Sequence, residues 1–167
     1  MEAQKKARKP IKLATKSEHA AYFMPMLENF ADHGELNEVV KNCVGKACDL
    51  LDAGIPLYPN DFKRKQNAGD VCAAYADMSG EELEALNEEF AIAGRMMSSR
   101  SFGKVIFFHV MDRSGRIQCY AEKSVLGDEA FSAFKKLDVG DIVGVTGHLF
   151  RTKTGELSVR ATELTLL

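Results

Sequence analysis

The chain has 167 residues, 46% of them hydrophobic, and a formal net charge of −2 at pH 7. This length suits one domain of ordinary size with an appendage, and the apolar content is sufficient for a hydrophobic core without a metal or disulfide staple. No apolar run approaches bilayer-spanning length and none follows the basic N-terminus, so we expect a cytoplasmic protein that does not insert into membranes.

The charges are segregated along the chain. Residues 1–17 have a net charge of +5, residues 18–91 one of −10 and residues 92–167 one of +3. A basic arm and a mildly basic C-terminal segment favour a polyanionic partner. For the acidic segment we favour an ordinary solvated surface that faces away from such a partner.

Cysteine and histidine spacing does not indicate a metal site or a disulfide framework. The four cysteines show no C-x-x-C spacing, and the four histidines are scattered without a carboxylate or cysteine at ligand spacing. We interpret the cysteines as reduced small hydrophobic residues and expect no metal. No carboxylate pair, nucleophile–base arrangement or phosphate-binding glycine loop is evident, so no catalytic residue is predicted.

The first predicted region is a basic, partly disordered N-terminal extension over residues 1–34. It is followed by a helical appendage and linker over residues 35–90. Apolar residues recur there at steps of three and four, which predicts an amphipathic helix over Glu35–Ala53 that docks on the rest of the chain or on another subunit. The stretch Ile55 to Asn67, with two prolines, is expected to be an extended linker.

A short acidic helix is predicted after the linker. Ser79 and Glu82 have the spacing of a capping box, in which each side chain accepts a hydrogen bond from the other residue's backbone N–H. We expect this helix to run to about Phe90 and to lead directly into the first strand.

Residues 91–167 are predicted to be mainly β. Five short strands are expected, with one helix over Asp128–Leu137 between the third and fourth. Gly144 and Gly147 would let the fourth strand bend, as a closing barrel requires. This order is that of the OB-fold, a five-stranded Greek-key barrel that binds oligonucleotides on its second and third strands and its end loops.

A possible base-stacking residue lies on the predicted second strand. Alternation turns one apolar set inward: Ile106, Phe108, Val110, Ile117, Cys119 and Ala121. It leaves Phe107 and His109 on the outer face, and we expect Gln118 and Arg116 of the next strand beside Phe107. A ring next to an amide and a cation is typical of a single-strand nucleic-acid platform. The alternative is that Phe107 packs under a neighbouring loop or helix.

Four motifs indicate a family. They are Pro59-Asn60-Asp61-Phe62, EELEALNEE leading into AGRMMSSRSFGK, Gly115-Arg116-Ile117-Gln118, and KTGELS over residues 153–158. With them, the run from Leu36 to Leu167 resembles the N-terminal, anticodon-binding region of class II lysyl-tRNA synthetases. The aspartyl and asparaginyl enzymes share the OB-fold, but the PNDF segment and the KTGELS hairpin resemble the lysyl enzymes.

The resemblance implies roles for individual residues. Phe107 would stack the middle anticodon base, a uracil, and Gln118 would hydrogen-bond the Watson–Crick edge of that base. Arg100 takes the position of an arginine that contacts the same base, and Glu156 lies in the hairpin that reads a neighbouring anticodon base. From the residues alone, Arg100 and Glu156 would be interpreted as solvated charges.

Four further cations are phosphate-contact candidates, because charges at strand ends position a nucleic-acid backbone without reading its sequence. They are Arg95, Lys104, Arg151 and Lys153. One position before Phe102 where the family has a cation is Ser99 in this chain.

The resemblance implies the anticodon loop of tRNA-Lys as partner, and a possible homodimer within the full synthetase. ATP and Mg²⁺ are expected only with a catalytic domain whose motifs this sequence lacks, so we expect that this chain alone does not aminoacylate. Two other functions stay open. One is a free-standing OB-fold protein that binds RNA or single-stranded DNA; the other is a protein-interaction or dimerisation module in which Phe107 is buried against a partner.

Overall fold

A computed structural model of the chain describes residue 20, residues 38–57, residue 59 and residues 61–167. The chain divides into two units between Leu57 and Tyr58. Apart from residue 20, the predicted N-terminal extension over residues 1–34 lies outside the described residues. Within the described part, no helix has the length and apolar character needed to cross a membrane.

The first unit contains helix α1, Glu38–Asp52, in which Cys48 and Leu50 are buried. The predicted amphipathic helix is therefore present, and residues 35–37 of its predicted range lie outside the described part. Its predicted docking on the rest of the chain or on another subunit stays a prediction.

The second unit begins with a helix that the sequence did not reveal, α2, Ala68–Ala74. Its own N-cap residue, Asn67, makes no side-chain capping bond. Instead, the Asp112 carboxylate accepts the Ala68 N–H at 2.8 Å, and Ser114 Oγ accepts the Gly69 N–H at 2.8 Å. The N–H groups that a helix start leaves unpaired are thus satisfied by a distant hairpin. A Cβ on Gly69 would lie 2.3 Å from the Ser114 carbonyl oxygen, so this contact requires glycine.

Helix α3, Gly80–Ala85, begins with the predicted capping box. Ser79 Oγ accepts the Glu82 N–H at 3.2 Å, and Glu82 Oε2 accepts the Ser79 N–H at 2.7 Å. The predicted end of this helix near Phe90 is wrong. The helix stops at Ala85, Asn87 takes a left-handed φ of 45°, and Phe90 already belongs to the first strand.

The rest of the second unit is a closed five-stranded barrel with neighbours in the order β1-β2-β3-β5-β4. The strands are β1 Phe90–Phe102, β2 Val105–Met111, β3 Arg116–Glu122, β4 Ile142–Arg151 and β5 Leu157–Leu166. The pair β3–β5 is parallel, and the other neighbouring pairs are antiparallel. This confirms the predicted OB-fold barrel.

The predicted helix between the third and fourth strands is two helices. They are α4, Lys123–Leu126, and α5, Asp128–Phe134. Gly127 separates them with a φ of 82°, which breaks the helical path. The second helix ends at Phe134 rather than at Leu137, and Phe131 and Phe134 are buried as the apolar spacing predicted.

The barrel core confirms the alternation predicted for β2 and β3. In both strands buried residues alternate with partly exposed ones, and the buried set is the predicted one: Ile106, Phe108, Val110, Ile117, Cys119 and Ala121. Each of the two glycines of β4 is required by a different close contact. A Cβ on Gly144 would lie 2.7 Å from the Phe62 ring, and Gly147 stands at a register shift where a Cβ would meet the Arg160 carbonyl at 2.0 Å.

Candidate nucleic-acid interface

Phe107 lies on the outer face of β2, half-buried and not inside the barrel. Its direct partner on β3 is Tyr120, whose ring centroid is 5.0 Å away, and its partner on β1 is Arg100. The ring of Phe102 approaches from the end of β1 with a centroid distance of 6.3 Å. The prediction that Arg116 lies beside Phe107 is wrong, because Arg116 pairs with Met111 next to the hairpin turn.

Gln118 lies one pair further along, opposite His109. Both ends of its amide are engaged. Nε2 donates to Glu156 Oε2 at 2.7 Å, and Oε1 accepts from Ser158 Oγ at 2.9 Å. An amide held by an acceptor-only carboxylate at one end and a hydroxyl donor at the other has a fixed orientation.

Glu156 also contacts His109, with 3.4 Å between Glu156 Oε1 and His109 Nε2. The other ring nitrogen of His109, Nδ1, is 2.9 Å from Ser98 Oγ. Five side chains from four strands and one hairpin are thereby linked; we call them the polar network: Ser98, His109, Gln118, Glu156 and Ser158. One amide hydrogen and one lone pair of Gln118 remain available to a ligand.

The hairpin that presents Glu156 is held by Arg151. The Arg151 guanidinium donates to the carbonyls of Met78 and Gly155, both at 2.7 Å, to that of Tyr75 at 3.3 Å, and to that of Ala76. Four of its five N–H groups are used in this way. The geometry gives Arg151 a positioning role, because it ties the hairpin to the segment after α2. Its predicted phosphate contact stays a prediction.

The other predicted cations lie at different places. Arg100 is exposed and directly opposite Phe107, Lys104 lies in the β1–β2 turn, and Lys153 is exposed in the hairpin that carries Glu156. Arg95 pairs with Met111 in β2, toward the far end of β1, and its guanidinium donates to the Gly140 carbonyl. The structure places Arg100 next to Phe107 and Arg95 away from it, and Lys104 lies in the turn that precedes β2.

An aromatic row extends the surface beyond Phe107. Tyr120 contacts Phe150 with a centroid distance of 5.7 Å, and the Arg160 guanidinium lies 4.7 Å from the Phe150 centroid. Period-two alternation along β3 puts Tyr120 on the same outer face as Gln118. Alternation alone could not place Phe150, because β4 joins this sheet through its long-range pairings with β1 and β5.

Burial raises the pKa of the Tyr120 hydroxyl, and its hydrogen bond to Glu122, 3.1 Å long, acts in the same direction. Tyr120 is therefore a neutral phenol at physiological pH. Burial also raises the pKa of the Cys119 and Cys72 thiols, and all four cysteines are free. Among the described residues, no group of three metal-ligating side chains is assembled.

Comparison with known proteins gives this site a context. The sequence profile of the tRNA anti-codon family, described as an OB-fold nucleic acid binding domain, matches residues 90–167. Among curated proteins, the lysine–tRNA ligase of Oceanobacillus iheyensis is 43% identical over 133 residues, which is 80% of this chain and 27% of that protein.

Two further lysine–tRNA ligases are similar to a comparable degree. That of Burkholderia thailandensis is 47% identical over 143 residues, covering 86% of this chain and 28% of the relative. That of Dechloromonas aromatica is 48% identical over 131 residues, which cover 78% of this chain and 26% of the relative. The chain thus spans about a quarter of the length of the curated relatives it matches. The resemblance to lysyl-tRNA synthetases is confirmed.

Proposed function

Because residues 90–167 belong to the family of OB-fold nucleic acid binding domains, we propose that this chain binds the anticodon loop of a lysine-accepting tRNA and reads its middle base, a uracil. The observation that carries the proposal is the half-buried Phe107 ring on the outer barrel face, one residue pair from a Gln118 amide of fixed orientation.

The chemistry of the two side chains suits a uracil. An unpaired base can stack on the Phe107 ring, and stacking on an aromatic side chain contributes about 1–3 kcal/mol per base. Uracil presents two carbonyl acceptors around one N–H donor. The remaining N–H and lone pair of Gln118 complement a carbonyl and the adjacent N–H of that edge, whereas cytosine has an acceptor in place of the N–H.

Arg100, Glu156 and the cations have supporting roles in this proposal. Arg100 lies beside the ring on which the base would stack, and Glu156 keeps Gln118 in its reading orientation. Lys104 and Lys153 would contact phosphates and position the loop without reading it. The proposal assigns no ATP or Mg²⁺ binding to the described residues. The module would contribute tRNA selection to the aminoacylation that lysine–tRNA ligases perform.

The test is binding of the full chain to two anticodon stem-loops that differ only in the middle base, uracil or cytosine. We expect tighter binding of the uracil loop. Phe107→Ala should weaken that binding by about 5- to 150-fold, which corresponds to the loss of one stacking ring. The measurement is a fluorescence-anisotropy titration at fixed salt, because phosphate contacts make every such affinity salt-dependent.

Val139→Ala is a suitable control. It also removes part of an apolar side chain, but Val139 is 61% exposed and lies in the segment before β4. It should leave both affinities unchanged. Equal binding of the two loops by the unmodified chain would reject anticodon reading and favour an OB-fold protein that binds single strands without preference. Binding of neither loop would favour the protein-interaction module.

A further inference from the structure

Phe102 is an aromatic residue at the end of β1 that the proposed function does not use. Its side chain is 62% exposed, more than expected for a ring that serves the barrel core. Single exposed apolar residues are common on protein surfaces and by themselves indicate nothing. Phe102 differs in its position, because it contacts the ring of Phe107.

The two rings are nearly perpendicular. The angle between the Phe102 and Phe107 planes is 73° and their centroids are 6.3 Å apart. Because the two planes are nearly perpendicular, no single base can lie flat on both rings. Phe102 keeps a largely exposed face that remains available to another ring.

Positive charges surround Phe102. Arg100 precedes it by two residues and shares its strand face, and Lys104 follows it in the β1–β2 turn. Lys135, at the end of α5, donates from Nζ to the Gly103 carbonyl at 3.2 Å and so brings a third cation to this turn. An aromatic face next to cations that can contact phosphates is the arrangement by which proteins hold single-stranded nucleic acid.

We propose that Phe102 stacks a second unpaired base, that of the nucleotide adjacent in the strand to the one on Phe107, and that Lys104 and Lys135 contact the phosphate between them. This inference rests on the proposed function, because it takes the same RNA strand as ligand. The inference adds a second stacking site to the proposed one on Phe107. Two stacked neighbouring bases would fix the direction in which the RNA strand runs across β1 and β2.

The test combines Phe102→Ala with uracil-containing stem-loops in which one loop nucleotide at a time is abasic. With the intact loop, Phe102→Ala should weaken binding at least about fivefold, the lower end of the effect of losing one stacking ring. With the abasic site directly beside the middle nucleotide, on one side only, the same substitution should have no further effect, because the base that Phe102 stacks is already missing.

Phe102→Leu extends the test, since leucine keeps an apolar side chain without an aromatic face; it should lose most of the affinity that alanine loses. The control is again Val139→Ala. A Phe102→Ala chain that binds the intact loop as tightly as the unmodified chain would overturn the inference, and so would an effect that persists with every abasic loop. Neither result touches the proposed function, which fails instead if uracil and cytosine loops bind equally.

Discussion

Glu156 is held between two side chains of neighbouring strands, with one carboxylate oxygen toward Gln118 and the other toward His109. A carboxylate only accepts hydrogen bonds, so it forces the NH₂ end of the Gln118 amide toward itself. A glutamine in its place could donate or accept, and the Gln118 amide could then turn over. In the proposed reading of a uracil, the charge of Glu156 would therefore matter even without a contact between Glu156 and a base.

We predict that Glu156→Gln lowers the preference for a uracil loop over a cytosine loop by about 5- to 10-fold, the equivalent of one hydrogen bond. The overall affinity for the uracil loop should fall less than in Phe107→Ala, because the stacking ring is intact. The measurement is the ratio of the two dissociation constants at one salt concentration.

Glu163→Gln is the matched control, because Glu163 is an exposed residue of β5 outside the polar network. It removes the same charge and should leave the ratio unchanged. An unaltered ratio in Glu156→Gln would mean that Glu156 does not orient Gln118 for reading.

At the level of elements, the β2–β3 hairpin carries Phe107 and also caps the start of α2 through Asp112 and Ser114. Burial raises the pKa of the Asp112 carboxyl, but hydrogen bonds from Ser114 Oγ and from the backbone N–H groups of Ala68, Ser114 and Gly115 outweigh burial and lower the pKa below its usual value. A group whose pKa is lower in the folded protein stabilises the fold above its unfolded-state pKa. That contribution disappears as the pH falls through the folded-state pKa.

We predict that Asp112→Ala lowers the free energy of unfolding at pH 7 by about 1–2 kcal/mol, as for the loss of a helix cap. The difference from the unmodified chain should shrink as the pH falls through about 4, where the unfolded carboxyl is half protonated, and become small below the folded-state pKa. Urea unfolding at several pH values measures it. A difference that is the same at pH 7 and pH 2 would contradict the electrostatic part of this explanation.

The elements that the sequence predicted are those whose signals are local. The period-two pattern of β2, the apolar spacing around Phe131 and the Ser79–Glu82 box each depend on residues close in the chain, and each is present in the structure. Helix α2 could not be predicted in this way, because its cap is Asp112, 44 residues from Ala68.

Contact partners in the candidate site were harder to predict than its strand faces. Alternation places Phe107 and Gln118 on one face, but it does not set which residues lie opposite each other, and the Asp112-to-Gly115 turn puts Tyr120 opposite Phe107. The link from Ser158 to Gln118 depends on the parallel pairing of β3 with β5. That pairing follows from barrel closure and has no local signal.

For the whole molecule, we expect the segregation of charge along the chain to affect the overall affinity for RNA more than the preference for one base over another. Residues 1–17 contain six Lys/Arg and one acid, and residues 92–167 have a net charge of +3. Cations that neutralise phosphates contribute to binding of any sequence, and each contact adds to the slope of log affinity against log salt.

We predict that replacing the six cations of residues 1–17 by glutamine weakens binding of uracil and cytosine loops by the same factor and reduces the salt slope. The ratio of the two affinities should not change, since phosphate contacts do not read bases. Titrations of both loops at several salt concentrations measure both quantities. A changed ratio would show that the arm takes part in base reading.

The one parallel seam of the described barrel, between β3 and β5, has a consequence for how the protein would acquire the proposed selectivity for uracil. Gln118 and Ser158 face each other across that seam, although 40 residues separate them in the chain. Joining such distant segments costs chain entropy that the β2–β3 hairpin does not have to overcome. We therefore expect the β2–β3 hairpin with Phe107 to form before the link between Gln118 and Ser158. A nascent or partly unfolded chain would then stack a base without distinguishing uracil from cytosine. Discrimination between the two loops would thus require a completely folded barrel.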